Sequence, residues 1–184
     1  AAIYLAGPEV FLPNAADVLA AKCALVRAAG LEPLAPGDAN APTDLPAFDR
    51  GLFISNVDED LMNAADAIIA NLTPFRGSGA DAGTAFELGF MAASGKPVFA
   101  YTNDARPYFD RVQADRLVMR LPDGTARDGS GLLVEDFAMT DNLMLHGAVA
   151  RRGQDMIVHD GGGNIADLAG FERALAQAVA AMVD

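Results

Sequence analysis

The sequence predicts an α/β protein: three layers, with helices on both faces of a doubly wound, mostly parallel sheet of about five strands. Three observations predict it. Residues 2–6, 66–72 and 98–101 are short runs that are apolar nearly throughout, as strands buried on both faces are. Helix-length segments separate them, so strand and helix alternate through the first hundred residues. The strands run into polar or glycine-rich loops at Gly7-Pro8, Arg76-Gly77-Ser78-Gly79-Ala80 and Thr102-Asn103-Asp104. Open parallel sheets bind ligands at that end of their strands.

The elements follow in order. Residues 2–6 form a central strand, stopped by Gly7-Pro8. Asn14 or Asp17 caps a helix over roughly residues 15–29, with Val18, Leu19, Leu25 and Val26 inside and Gly30 closing it. Residues 31–34 are a second strand, placed at an edge because Pro33 has no N–H for a ladder. Residues 35–46 hold four prolines or glycines with Asp38, Asn40 and Asp44, and form a long polar loop of the kind that borders sites. A helix runs from about residue 46 to 64 on the stripe Phe53/Ile54, Val57, Leu61 and Ala64/Ala65. Asp58 lies four residues from both Ile54 and Met62 and borders that apolar face, while Glu59 and Asp60 turn to solvent. Residues 66–72 are a third strand and 98–101 a fourth. Right-handed parallel connections then give a flavodoxin- or Rossmann-like sandwich.

The second half is less regular. Residues 103–130 read as an excursion with a short helix near residues 108–114. Asp141 caps another helix, residues 156–158 make a fifth strand, and Gly161-Gly162-Gly163 is a flexible turn. Residues 164–183 form a closing amphipathic helix on Ile165, Leu168, Phe171, Leu175, Val179 and Met182. No repeat or low-complexity segment divides the chain, so residues 1–184 read as one domain.

Composition narrows the function. A net charge of −12, from 25 acidic and 13 basic residues, opposes a nucleic-acid polymer or an anionic membrane as partner. At 52% hydrophobic, the chain has enough apolar material for a core. Its one cysteine, Cys23, excludes an internal disulfide framework, suits the cytoplasm, and falls in the apolar pattern of the first helix. No apolar run is long enough to span a membrane, and the first residues read as a strand rather than a signal peptide. With only His146 and His159 and no Cys/His cluster, no zinc site is expected. Both histidines read as surface or satisfied residues.

The segment from Asp81 to Gly95 stands apart. Phe86, Phe90 and Ala93 recur at helical spacing, Leu88, Met91 and Ala92 widen the stripe, and Gly95-Lys96-Pro97 ends it. Yet Glu87 sits in the middle of the apolar run. A carboxylate there needs a partner or a purpose; pairing with an arginine or with backbone donors and a functional role both fit the segment alone. Asp81 and Glu87 are six residues apart, so at about 100° per residue they do not share a helix face. They converge only if Asp81 lies in the loop before the helix. Asp58, Asp81 and Glu87 around one cavity would suit glycosidic-bond chemistry, with one nucleophile and one proton donor, or a magnesium site. The pair Gly77-x-Gly79 meets no nucleotide fingerprint, and no Gly-x-Ser-x-Gly elbow occurs.

At this point a resemblance becomes specific. Ile3-Tyr4-Leu5-Ala6-Gly7-Pro8-x-Val10-Phe11, Asn56-Val57-Asp58, Ala65-Asp66-Ala67-Ile68-Ile69-Ala70, Asp81-x-Gly83-Thr84-Ala85-Phe86-Glu87-Leu88-Gly89 and Asn142-Leu143-Met144 occur in the order found in the nucleoside 2-deoxyribosyltransferases, which the chain resembles. The resemblance is clear over residues 3–102 and patchier over 103–160. It implies base exchange between 2′-deoxynucleosides in nucleotide salvage, through a covalent deoxyribosyl ester, with retention and ping-pong kinetics, and with no metal or organic cofactor. Glu87 would be the nucleophile, Tyr4 its hydrogen-bonding partner and Asp81 the proton donor to the leaving base. Asp58 would bind the deoxyribose hydroxyls, with Gly7, Phe11 and Gly83 lining the site. Asn142 would reach from a neighbouring subunit to the 5′-hydroxyl with Met144 beside the sugar, which implies a homo-oligomer, at least a dimer. The partners are then a 2′-deoxynucleoside and a free nucleobase. The chain departs from the family at its end, where a helix runs to Asp184 in place of a terminal carboxylate closing the site.

Without the resemblance, Tyr4 reads as a core tyrosine and Asn142 as a cap neighbour. Phe11, Phe48, Phe53 and Phe75 are candidates for an aromatic lid, and core packing is the plainer reading of each. Arg76 would pair with a carboxylate or touch a 5′-phosphate. Two rivals remain: an N-glycosidase hydrolysing nucleoside 5′-monophosphates, and a non-catalytic nucleoside or nucleotide sensor.

Overall fold

The computed structural model describes residues 1–37 and 41–182. Asp38 and Asn40 of the polar loop, and Asp184, lie outside the described residues. Strands β1 (Ala2–Ala6), β2 (Glu32–Leu34), β3 (Ala67–Asn71) and β4 (Val98–Thr102) alternate with helices α1 (Ala15–Ala28), α2 (Ala47–Ala64) and α3 (Ala82–Ala93). After β4 come α4 (Tyr108–Asp115), β5 (Val118–Arg120), β6 (Ala126–Asp128), α5 (Leu143–Ala150), β7 (Ile157–Val158) and α6 (Ala169–Met182).

The main sheet has the order β2-β1-β3-β4-β7, and every pairing in it is parallel. The chain leaves β1 outward to β2, then returns to β3 on the opposite side. That reversal opens a crevice beyond the carboxyl ends of β1 and β3, where such sheets take their ligands. Pro33 sits in an edge strand, as its missing N–H requires.

Alternation along the strands divides the interior into two cores. Tyr4, Ala6, Ile68 and Ala70 pack with Met62, Leu88, Met91 and Val149, on the side of α2, α3 and α5. Ile3, Leu5, Ile69 and Phe99 pack with Val26, Phe171 and Leu175, on the side of α1 and α6. α3 is stopped by a Schellman pair: Gly95 N–H donates to Ala92 O and Lys96 N–H to Met91 O. Gly95 takes φ +74°, which the left-handed turn requires and glycine tolerates. No helix among the described residues is long and apolar enough to cross a membrane.

Several elements differ from expectation. Residues 118–128 form an antiparallel pair, β5 with β6, turning at Asp123-Gly124. Asn142, not Asp141, caps α5, because its side chain is the one that accepts from Met144 N–H. α6 begins at Ala169 rather than 164; Asp167 accepts from Ala169 N–H, and 164–168 form turns. Asn14 occupies the N-cap of α1 without a side-chain cap bond. The α2 stripe is also less buried than its spacing suggests. Met62 is the one buried residue of that helix, and Phe48, Leu52 and Phe53 are exposed.

Candidate active site

The site begins with Tyr4. It lies on the innermost stretch of β1, and alternation points it toward α3. It is fully buried, and its hydroxyl donates to Glu87 Oε1 at 2.7 Å. Glu87 sits mid-way along α3 and is half-buried. Burial pushes its carboxyl up, the Tyr4 hydrogen bond pulls it down, and the charges of Asp58, Asp81 and Glu9 push it up again, to about 7. Burial, and then the Glu87 charge, push the Tyr4 phenol well above its ordinary range. Tyr4 therefore stays a proton-bearing donor to Glu87 at any working pH.

Asp81 is the N-cap of α3 and has non-helical backbone angles. Thr84 donates to its Oδ2 from the backbone N–H at 2.9 Å and from the hydroxyl at 3.2 Å. Leaving the helix at this residue lets Asp81 and Glu87 face one space despite their six-residue separation. A Cβ on Gly83 would lie 3.0 Å from Asp81 Oδ2, so a side chain there would press on the acid. Asp58, on α2, has its carboxyl raised by burial and lowered by a hydrogen bond from the Gly37 backbone. Its Oδ1 is buried and has no hydrogen-bond partner among the described residues.

These groups surround a cavity of about 680 Å³ at the β1/β3 crevice. Gly7, Phe11, Asp58, Asp81, Gly83 and Glu87 line it, with apolar walls from Val10, Leu19 and Ile54. That volume suits a small organic molecule. Tyr4 stands behind Glu87. Phe11 stacks on Phe75 with ring centroids 5.1 Å apart, and the Arg76 guanidinium lies over both rings, at 5.2 and 4.6 Å. Phe48 and Phe53 do not line the cavity. No group of three or more His, Cys, Asp or Glu among the described residues is arranged to hold a metal ion.

Asn142 and Met144 are not brought to this cavity within one chain. Asn142 accepts from Met144 N–H, and its Nδ2 donates to Glu135 Oε1. Met144 is 70% exposed. His146 accepts from Thr140 N–H, and His159 bonds Asp167 at 2.9 Å, so both rings are structurally engaged.

Sequence reasoning missed a buried cluster under the Gly7 loop. Glu9 and Lys22 form an ion pair with both side chains essentially inaccessible, and Asn71 Nδ2 donates to Glu9 Oε2 at 3.0 Å. The cluster explains Gly7. A Cβ there would fall 2.2 Å from Glu9 Oε2 and 2.7 Å from Asn71 Cβ, so only glycine fits. A signal was present: Lys22 stands between Val18 and Val26 at i, i+4, i+8, inside the apolar stripe of α1.

The family model for nucleoside 2-deoxyribosyltransferase matches residues 3–144. The chain is 34% identical over 164 residues to uncharacterized protein C191.05c of Schizosaccharomyces pombe, covering 82% of this chain and 78% of that one. It is similar to the solved structure titled 2-desoxiribosyltransferase from Leishmania mexicana, with a TM-score of 0.70 and 36% identity over 98% of each chain. A conserved protein from Enterococcus faecalis V583 shares the fold at a TM-score of 0.58 and 20% identity, over 96% of this chain and 98% of that one.

Proposed function

Since the chain belongs to the nucleoside 2-deoxyribosyltransferase family, we propose that it is a single-domain transferase exchanging the nucleobase of a 2′-deoxynucleoside. The observation that carries this reading is the Tyr4–Glu87 hydrogen bond at the wall of a cavity shared with Asp58 and Asp81. The activity named for the Leishmania protein, similar along nearly its whole length, supports it.

The geometry suggests how each group acts. Tyr4 engages Glu87 Oε1, so Oε2 is the oxygen that attacks. As the Oε2–C1′ bond forms, the C1′–N bond breaks, and its electron pair leaves with the base, which takes a proton from Asp81. Positive charge develops on the sugar, and the carboxylates of Glu87 and Asp58 at the cavity stabilise it, joined by Asp81 as its proton passes to the base. A second base then attacks C1′ from the vacated face, expels Glu87 and returns a proton to Asp81, with net retention. Asp58, with an oxygen lacking a partner among the described residues, takes a deoxyribose hydroxyl. Phe11, backed by Phe75, offers a ring face to the base. Half-buried Asn142 and exposed Met144, neither at its own chain's cavity, serve the 5′ side of a neighbouring subunit's site, so the active form is at least a dimer.

One observation favours a second reading. Arg76 places a cation beside Phe11 at the cavity, as hydrolysis of a nucleoside 5′-monophosphate would want. One assay separates the readings. Thymidine or deoxyinosine is incubated with the protein, with and without adenine. New deoxyadenosine is the expected product; release of base alone, best from a deoxynucleotide, would replace transfer by hydrolysis. Binding without turnover would make the protein a sensor.

A further inference from the structure

The segment 76–81 decides where Asp81 stands, and it lies outside any helix or strand. It is held from outside. Arg111, on α4, is 2% exposed, yet its guanidinium is bonded on every side. Nε donates to Ser78 O at 2.8 Å, Nη1 to Arg106 O at 2.6 Å, and Nη2 to Thr140 O at 2.5 Å and Asp141 Oδ2 at 3.3 Å. Asp141, 3% exposed, uses that same Oδ2 to accept from Ala80 N–H at 3.0 Å, while its Oδ1 accepts from Asn142 N–H at 2.7 Å. Bonds from this pair therefore end on Ser78 and Ala80, directly before Asp81, and on Asn142.

A buried ion pair is a poor way to gain stability, because desolvation of both charges offsets their attraction. It is a good way to fix geometry. The planar fork of an arginine can hold three segments in one plane, which an apolar cluster cannot. We propose that Arg111 and Asp141 are positioning residues for the reaction: one buried hub that sets Asp81 against the leaving base. The same hub fixes the turn that carries Asn142. This deepens the reading of Asp81 as proton donor and rests on it.

The test uses leaving groups that differ in their need for a proton. Arg111→Lys keeps the charge but loses the fork. Asp141→Asn keeps the shape, but its amide cannot accept from Ala80 N–H on one side and Asn142 N–H on the other. Each is assayed, with no acceptor base present, for single-turnover release of base from deoxyinosine and from 7-methyl-2′-deoxyguanosine, whose cationic base departs without protonation; the proton that an incoming base returns to Asp81 then does not enter. Asp81→Asn sets the scale. Base release from deoxyinosine should slow at least about tenfold in both hub variants, while release from the 7-methyl substrate slows less than about threefold, since a displaced general acid is missed only where a proton is needed. Equal losses on both substrates would reduce the hub to a structural brace and overturn the proposal. If Asp81→Asn itself loses both substrates equally, the proton-donor reading fails and the proposal with it. If only the hub variants do so, the hub proposal alone fails. Should Arg111→Lys not fold by circular dichroism, Asp141→Asn decides the matter.

Discussion

Two glutamates near the carboxyl end of β1 are treated in opposite ways. Glu9, in the turn after β1, is fully buried and given a full counter-charge: the Lys22 ammonium, with Asn71 on its other oxygen. That ammonium in turn lies over the rings of Tyr101 and Phe171, at 5.3 and 4.9 Å. Glu87, on α3, is half-buried and receives a hydrogen bond from a neutral phenol, with Asp58, Asp81 and Glu9 as its charged neighbours. The difference teaches what each acid is for. A counter-charge neutralises and anchors; Glu9 holds the turn that presents Gly7 and Phe11 to the cavity. A phenol orients one oxygen and leaves the charge unspent, as the role proposed for Glu87 against a developing sugar cation requires.

The sharpest way to break the comparison is to remove the proposed nucleophile. Glu87→Gln keeps the shape and the Tyr4 contact. Exchange should fall by more than about 10⁴-fold, because no other group can form the ester. A loss within tenfold in a discontinuous base-exchange assay would leave Glu87 as another structural acid. The corresponding cut at the anchoring member is Lys22→Met. It leaves a carboxylate buried without its cation, and should destabilise the fold by about 3–5 kcal/mol in urea unfolding at pH 7. Adding Glu9→Gln to it should recover more than half of the loss. A double variant no more stable than Lys22→Met would mean that packing of the lysine stem, not charge, holds the turn.

The two acids also differ in how legible they were. Glu87 was visible because a carboxylate interrupts a helical apolar run, and the cap position of Asp81 followed from a six-residue spacing that no helix face accommodates. Strands β1, β3 and β4 were visible because both their faces are buried and their sequences show no alternation. Glu9 and Lys22 were not, since a lysine on a helix reads by default as solvent-facing; only its place in the stripe with Val18 and Val26 marks it. The hub of Arg111 was hidden more deeply, because three of its acceptors are backbone carbonyls from separate segments, and backbone partners leave no residue pattern. β5 and β6 have three residues each, and half of the six are charged. Their one signal is Asp123-Gly124, a turn pair flanked by too little alternation to declare strands.

A smaller effect sharpens the comparison through pH. The Glu87 carboxyl stands at about 7 in the folded protein against an ordinary 4.5, so the folded state holds that proton more tightly than the unfolded chain. Its contribution to stability is fully present below about pH 4.5 and is lost as pH rises through about 7. Glu87→Gln mimics the protonated form. It should melt higher than the unaltered protein at pH 8 and at nearly the same temperature at pH 4.5. An equal difference at both pH values would remove burial of an uncompensated charge as the cause.

The finest distinction between anchoring and orienting lies in Tyr4. Tyr4→Phe deletes one hydroxyl from a fully buried ring and leaves its packing. The lost bond ran to a charged acceptor, so exchange should fall by about 10- to 100-fold, as the loss of about 1.5–3 kcal/mol predicts. The telling readout is the acid limb of kcat/KM, which reports Glu87 in the free enzyme if it is the nucleophile, as proposed. Tyr4 is the neighbour that pulls the Glu87 carboxyl down. Without it the limb should move to higher pH, and the variant should recover part of its activity in alkaline buffer. A limb that stayed in place while the rate fell would show the phenol acting on the geometry of Glu87 alone, through the direction of Oε2 rather than through its charge.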